Sequence, residues 1–215
     1  MLALLLSLGR WQVDRAAEKQ QRQALLDARG AEAPVRLTGA VPSAEPLLYR
    51  RVRAAGEYLA ERQIFIDNQI REGRAGFAVI TPLRLAGGRE AVLVHRGWIA
   101  RDASYPRPPA VAVPAGAVEV SGLATLPPRR VLELSADTVS GNVWQNLDIA
   151  KVAAHAGLEL LPVVILDDRP APGLQPVRER PDAGVAKHQE YALTWFALAA
   201  TVLALWIALN LRREP

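Results

Sequence analysis

No cysteine occurs among the 215 residues, and the only methionine is Met1. The first absence excludes disulfides, thiolate metal centres and covalent attachment of haem through Cys-x-x-Cys-His. Together the two absences exclude a soft copper site built from thiolate and thioether. Neither fixes the compartment. Lysine is scarce as well, with three against 23 arginines in a chain of net charge +4. The arginines are spread through every segment, without a basic tail or an aromatic–basic stripe, so nucleic acid is not an expected partner. Six serines are present without a Gly-x-Ser-x-Gly elbow, and three histidines without a His-Glu-x-x-His helix. Two hydrolase signatures are therefore missing. Asp167 and Asp168 are adjacent at a strand end, where neighbouring side chains point to opposite faces, so they read as a turn and not a catalytic dyad.

The apolar residues are unevenly placed. Tyr191 to Leu211 is a run of 21 residues without a charge. As a helix it would be about 31 Å long, close to the hydrocarbon thickness of a bilayer. A core helix of a soluble protein seldom runs this far without a charged face. A transmembrane helix is expected over 188–211, with a cytoplasmic tail at 212–215. The opening MLALLLSLG is apolar but too short to span, and it lacks the basic start and cleavage site of a signal peptide. Residues 1–10 are expected to be the end of a transmembrane helix that begins upstream. Residues 11–30 read as its polar helical extension: helix formers predominate, Glu18 and Arg22 stand at i, i+4, Trp11 comes at the interface level, and Gly30 supplies a stop.

Residues 31–168 read as a mainly β extramembrane domain. VRLTGAV, EYLAERQIFIDNQ, FAVITPLRL, AVLVHRGWIA, VEVSGLATL and LPVVILDD are short and rich in β-branched or aromatic residues. Gly87-Gly88 predicts a hairpin turn. In the arm after it, alternation puts Val92, Val94 and Trp98 on one face, interrupted by Arg96. Pro82 suits an edge position or a bulge. One helix is expected at 147–158, ending near Gly157. Residues 102–116 hold four prolines and cannot be a central strand. Residues 169–187 hold four more and read as a Pro-rich linker. The fold expected is therefore α+β: two transmembrane helices flanking a barrel-like or curved-sheet domain with a minor helix. The flanking charges leave topology open. Arg212 and Arg213 argue for a cytoplasmic C-terminus, whereas Arg178, Arg180 and Lys187 weaken that bias, and Arg10, Arg15 and Lys19 oppose it.

Four strings now combine: LGRWQ after the first apolar stretch, TPL followed by VLVHRGW, VWQN, and HQEYALTWF at the last helix. In order and spacing, from Leu8 to about Leu209, the chain resembles the Surfeit locus protein family, membrane proteins that assist assembly of haem-copper cytochrome oxidases. It departs from the family in its truncated first helix and in His95, which stands where the family string is expected to read VLVNRGW. The resemblance implies a bacterial inner-membrane, multi-pass protein with an extracytoplasmic domain. It implies a part in inserting haem a into the oxidase's catalytic subunit, with haem held through the second-helix histidine, here His188. No enzymatic activity is implied. The partners implied are that catalytic subunit, the lipid bilayer and, as a source of the cargo, haem a synthase.

The residues support a haem site on their own terms. Neutral imidazole is a good axial ligand for haem iron. His188, Tyr191 and Trp195 fall at i, i+3 and i+7, one helix face, and could place aromatic surfaces beneath the ring. Trp11 and Gln12 come at a similar depth on the other helix and could close the pocket, with Lys187 or an arginine near the propionates. The metal ligand expected is His188. His155 reads as surface or packing, His95 as hydrogen-bonded structure, and Arg96 and Trp98 as fold determinants or a docking surface. The alternative function is a cofactor-free scaffold that stabilises an oxidase subunit by contact alone.

Overall fold

The computed structural model describes residues 1–39, 41, 43–127, 139–169, 171–177 and 185–211, and of Arg22 the backbone alone. The helices are α1 (Leu2–Ala31), α2 (Ile149–Ala156) and α3 (Val185–Leu211). The strands are β1 (Val35–Leu37), β2 (Arg51–Tyr58), β3 (Ile64–Arg71), β4 (Arg74–Leu85), β5 (Glu90–Ala100), β6 (Ala117–Thr125), β7 (Val139–Ser140), β8 (Val143–Trp144) and β9 (Glu159–Asp167). The chain divides into two compact units, Met1–Ala28 with Pro181–Pro215, and Arg29–Arg180.

The first unit is a helix pair. The apolar opening and the polar stretch after it form one unbroken helix, α1, which passes the expected stop at Gly30 by one residue. Glu18 accepts from Arg15 at 2.6 Å, while the side chain of Arg22, its expected partner, lies outside the described residues. α3 starts three residues before the expected His188 and is the one helix among the described residues long and apolar enough to cross a membrane. The apolar part of α1, Leu2 to Gly9, is too short for that.

The two helices pack along small and polar residues. Gly9, Gln12 and Ala16 are buried on α1, and Ala192 and Ala199 on α3. With the half-buried Leu2, Leu5 and Lys19, and Val185, His188, Trp195 and Val202, these positions recur at alternating spacings of three and four, the pattern of a coiled-coil seam. The helices run antiparallel, since Gln12 meets His188 and Gly9 meets Phe196. A Cβ on Gly9 would lie 2.6 Å from the Phe196 ring, so the missing side chain is what admits the ring. From Leu193 onward the outer face of α3 is mostly apolar, and two threonines and an asparagine there bond to their own helix. Thr194 donates to the Glu190 carbonyl, Thr201 to Ala197 and Asn210 to Trp206, at 2.8–3.0 Å. This is how polar groups are satisfied where no water is available.

The second unit is sheet-rich. Its strand order is β1-β2-β6-β9-β5-β4-β3-β8-β7, with β2 also paired to β4, so that β2, β6, β9, β5 and β4 pair in a ring. Gly56 makes the β2–β4 approach possible, because any side chain there would meet the Arg84 carbonyl. Inside lie Val52, Ala54, Leu83, Leu85, Val92, Val94, Val120, Val163 and Ile165. Each large aliphatic side chain sealed there contributes about 1.5–3 kcal/mol. On the other face Ile80, Leu93 and Val164 pack under Trp144 and the Val152 side of α2. α2 begins two residues later than expected, because Asp148 caps it by accepting from the amides of Ala150 and Lys151. Its last residue is Ala156, two before the expected 158, and Gly157 caps it in the left-handed conformation.

Four sequence expectations are corrected here. EYLAERQIFIDNQ is not one strand, since a single 3-10 turn at Ala60–Arg62 separates β2 from β3. Pro82 is neither at an edge nor in a bulge. It sits inside β4 where the partner on one side changes from β3, last paired at Ile80, to β2, first paired at Leu83. Its carbonyl accepts from Leu59 N at 2.9 Å, and its missing N–H falls where no ladder needs a donor. Trp98 does not share the face of Val92 and Val94. Val79 pairs with Gly97 and Ile80 with His95, so Arg96 is the extra residue of a bulge that shifts the alternation by one. Gly97 takes up the bulge with φ +143. Lastly, the segment expected as a linker from residue 169 begins as part of the β domain: Trp98 and Gln175 exchange backbone hydrogen bonds at 2.8 and 2.9 Å, and Leu174 is buried. Leu174 has an apolar cluster beside Phe77 to join, and the prolines around it do not prevent that. Residues 178–184 and 212–215, with Arg178, Arg180, Arg212 and Arg213, lie outside the described residues.

Candidate functional site

The helix pair brings three of the expected site residues together. His188 stands in the first turn of α3, half buried, and Gln12 opposite it on α1 is 8 % exposed. The His188 Nδ1 lies 2.6 Å from Gln12 Oε1. Trp11, the next residue on α1, presents its ring edge-on to the imidazole at 6.5 Å between centroids. Lys19, Arg15 and Lys187 are close enough to act electrostatically on the ring. The sequence reading used Arg15 and Lys19 only as topology charges, although they stand three and seven residues on from Gln12, on its side of the helix.

Tyr191 and Trp195 stand differently. Trp195 lies on the seam with His188, half buried, whereas Tyr191 is 48 % exposed at its flank. Among the described residues Trp11 is the aromatic ring in contact with His188, and neither Tyr191 nor Trp195 stacks on it. The donor set suits haem: one imidazole at the end of a membrane-length helix, an indole beside it and basic side chains for carboxylates. Haem needs one strong axial donor, and no group of three His, Asp or Glu side chains among the described residues could instead hold a bare metal ion.

The remaining candidates lie in the β domain. Arg96 is 1 % exposed and Trp98 2 %, so both are fold determinants and not a docking surface. Arg96 donates to Gln63 Oε1 at 3.0 Å and to the Ala112 carbonyl at 2.8 Å, and its guanidinium lies over the Tyr58 ring at 5.1 Å. Thr81 donates to the same Gln63 oxygen at 2.9 Å. Burial holds the Arg96 pKa below its ordinary value, with Tyr58 and Asp167 opposing. Burial, with the charge of Asp167 adding to it, pushes the Tyr58 hydroxyl up to about 12. Trp98 donates to the Gln69 carbonyl at 2.8 Å under the guanidinium of Arg71.

His95 is buried within β5, and its Nε2 has no hydrogen-bond partner among the described residues. Burial first, then the charge of Arg71, lowers its pKa to about 4, against a hydrogen bond with the Gly97 backbone. It is a neutral, enclosed imidazole. His155 is exposed on α2 and packs edge-on against Trp144 at 5.5 Å. Asp167 accepts from the Arg169 amide and Asp168 pairs with Arg51, so the adjacent carboxylates serve a turn and an ion pair.

Comparison with known proteins agrees in extent with this architecture. The SURF1 family model matches residues 1–200. A SURF1-like protein of Monosiga brevicollis is 26 % identical over 94 % of this chain and 82 % of its own length. Surfeit locus protein 1 of Xenopus tropicalis is 27 % identical over 96 % of this chain and 72 % of its own length. A bacterial relative, the SURF1-like protein of Rickettsia felis, is 27 % identical over 95 % and 91 %. With a family model that covers nearly its whole length, this chain belongs to the SURF1 family.

Proposed function

We propose that this protein is an assembly factor for a haem-copper cytochrome c oxidase, which binds haem a at its helix pair and aids its insertion into the catalytic subunit. The observation that carries the reading is the meeting of His188, Gln12 and Trp11 at the N-terminal end of a membrane-length helix. His188 supplies the axial donor. Trp11 and, one and two turns along α3, Tyr191 and Trp195 supply flat apolar surface for the porphyrin. Lys19, Arg15 and Lys187 supply cations for its propionates. The isoprenoid tail of haem a is buried in lipid along α3, where Leu193, Leu205 and Leu209 are exposed. A carrier must release its cargo, and a single histidine is a replaceable ligand. On this reading the protein performs no turnover, and the β domain stands on the extracytoplasmic side of a bacterial inner membrane. Haem a synthase is the source of the cargo.

His188→Ala tests this against a cofactor-free scaffold. Protein purified with haem a available is expected to lose the Soret band, with its far-ultraviolet circular dichroism intact. Retention of the full band would falsify the ligand assignment and leave the scaffold.

A further inference from the structure

We infer that Gln12 is a positioning residue that selects which nitrogen of His188 is free to bind iron. This rests on the reading of His188 as the haem ligand.

The argument starts from donors and acceptors. An amide oxygen only accepts, so the 2.6 Å contact between Gln12 Oε1 and His188 Nδ1 requires the hydrogen to sit on Nδ1. A neutral imidazole carries one ring hydrogen. Its lone pair is then on Nε2, the nitrogen other than the one Gln12 meets. In an unconstrained histidine both tautomers are populated, and the one with hydrogen on Nε2 offers iron nothing at that position. With its oxygen, and not its amide nitrogen, turned to the ring, Gln12 favours the Nδ1–H form. It is placed to do so because its side chain is buried in the helix seam at 8 % exposure, where an amide oxygen without a partner is costly. The arrangement is the same one that orients metal-bound histidines generally, with the second ring nitrogen donating to a fixed oxygen.

Gln12 and His188 come from different helices, 176 residues apart in the chain. The selection therefore exists only while α1 and α3 are docked. Separating the helices returns the ring to a mixture of tautomers and weakens its hold on iron, which couples grip to helix contact.

The experiment uses the full-length protein in lipid nanodiscs, labelled with ¹⁵N-histidine. The His188 signals are identified by their loss in His188→Ala. Without haem, the native protein is expected to show hydrogen on Nδ1 of His188. Gln12→Leu is expected to shift the ring to a mixture containing the Nε2–H form. Gln12→Glu, which keeps an accepting oxygen, is expected to restore Nδ1–H. Titration with hemin, followed at the Soret band, is expected to show roughly tenfold or greater weakening for Gln12→Leu and none for Gln12→Glu. Hydrogen on Nε2 in the native protein overturns the inference. So does Gln12→Leu with tautomer or affinity unchanged, or a Gln12→Glu that fails to restore them. Failure of the ligand reading shows itself separately, as a Soret band that survives His188→Ala. In that case the role of Gln12 in haem binding falls even if the tautomer follows the substitutions.

Discussion

His95 and His188 put the same side chain in two different regions, and the contrast separates structure from site. His95 stands in the middle of β5, 3 % exposed, with β4 and β9 on its two sides. Its environment favours the neutral ring strongly, yet nothing can reach it. His188 stands in a two-helix seam, half buried, with one nitrogen held and the ring at the end of the helix. Low polarity alone does not make a ligand site. Both rings have one nitrogen hydrogen-bonded, His95 to the Gly97 backbone and His188 to Gln12, and what separates them is that the sheet encloses His95 whereas His188 is only half buried.

The contrast can be broken first at Arg96. It is the charged centre of the β domain's buried polar network, and removing it takes the guanidinium donor from the Ala112 carbonyl and leaves Gln63 Oε1 with Thr81 alone. Arg96→Met is expected to lower domain stability by about 3 kcal/mol or more, read from the midpoint of chemical denaturation. Hemin binding by the folded fraction should be unchanged. A midpoint close to that of the unmodified chain would show that the network is dispensable.

The next test concerns the buried ring itself. Native His95 titrates near 4 and an unfolded histidine near 6.5, so the unfolded chain takes up the proton first as pH falls. Stability from this group is complete above about pH 6.5, declines between 6.5 and 4, and levels off below. The full span amounts to about 3 kcal/mol. Carboxylates add their own pH dependence, so the informative quantity is the difference between the native chain and His95→Asn. The variant is expected to lose the part of the slope between pH 6.5 and 4. Parallel curves would sink the assignment.

The smallest expected effect sharpens the other side of the comparison. Trp11→Leu keeps an apolar side chain, smaller than the indole, and removes the edge-on ring contact to His188, a contact of about 0.5–1.5 kcal/mol. Hemin affinity should fall by about twofold to tenfold, with the His188 tautomer unmoved, because Gln12 still holds Nδ1. A variant that changes the tautomer would mean that the indole, and not the amide, orients the ring.

Much of the fold could be read from the residues. The charge-free run to Leu211 marks α3, Gly87-Gly88 marks the β4–β5 hairpin, and Gly157 marks the end of α2. β2 was missed from Arg51 to Gly56, although Arg51-Val52-Arg53-Ala54 alternates outward and inward, because alanine and glycine are poor strand formers. The 3-10 turn at Ala60–Arg62 carries no glycine or proline, so nothing local announced it. Of the site, the residues were legible but not their roles. Periodicity places His188, Tyr191 and Trp195 on one face, yet cannot say that an amide on another helix would be the first neighbour.

Sequence alone determined what depends on neighbours along the chain: a lipid-length helix, a β-rich middle, a capped short helix, and the absence of thiol chemistry. Local propensity and periodicity are short-range, and they suffice for those. Tertiary structure alone decided that Arg96 bulges and turns Trp98 to the opposite face, that Pro82 falls between two partners, that Gln175 returns to β5, and that Gln12 meets His188. Each of these depends on which strands or helices come together across tens of residues, and no window of sequence contains both members of such a pair.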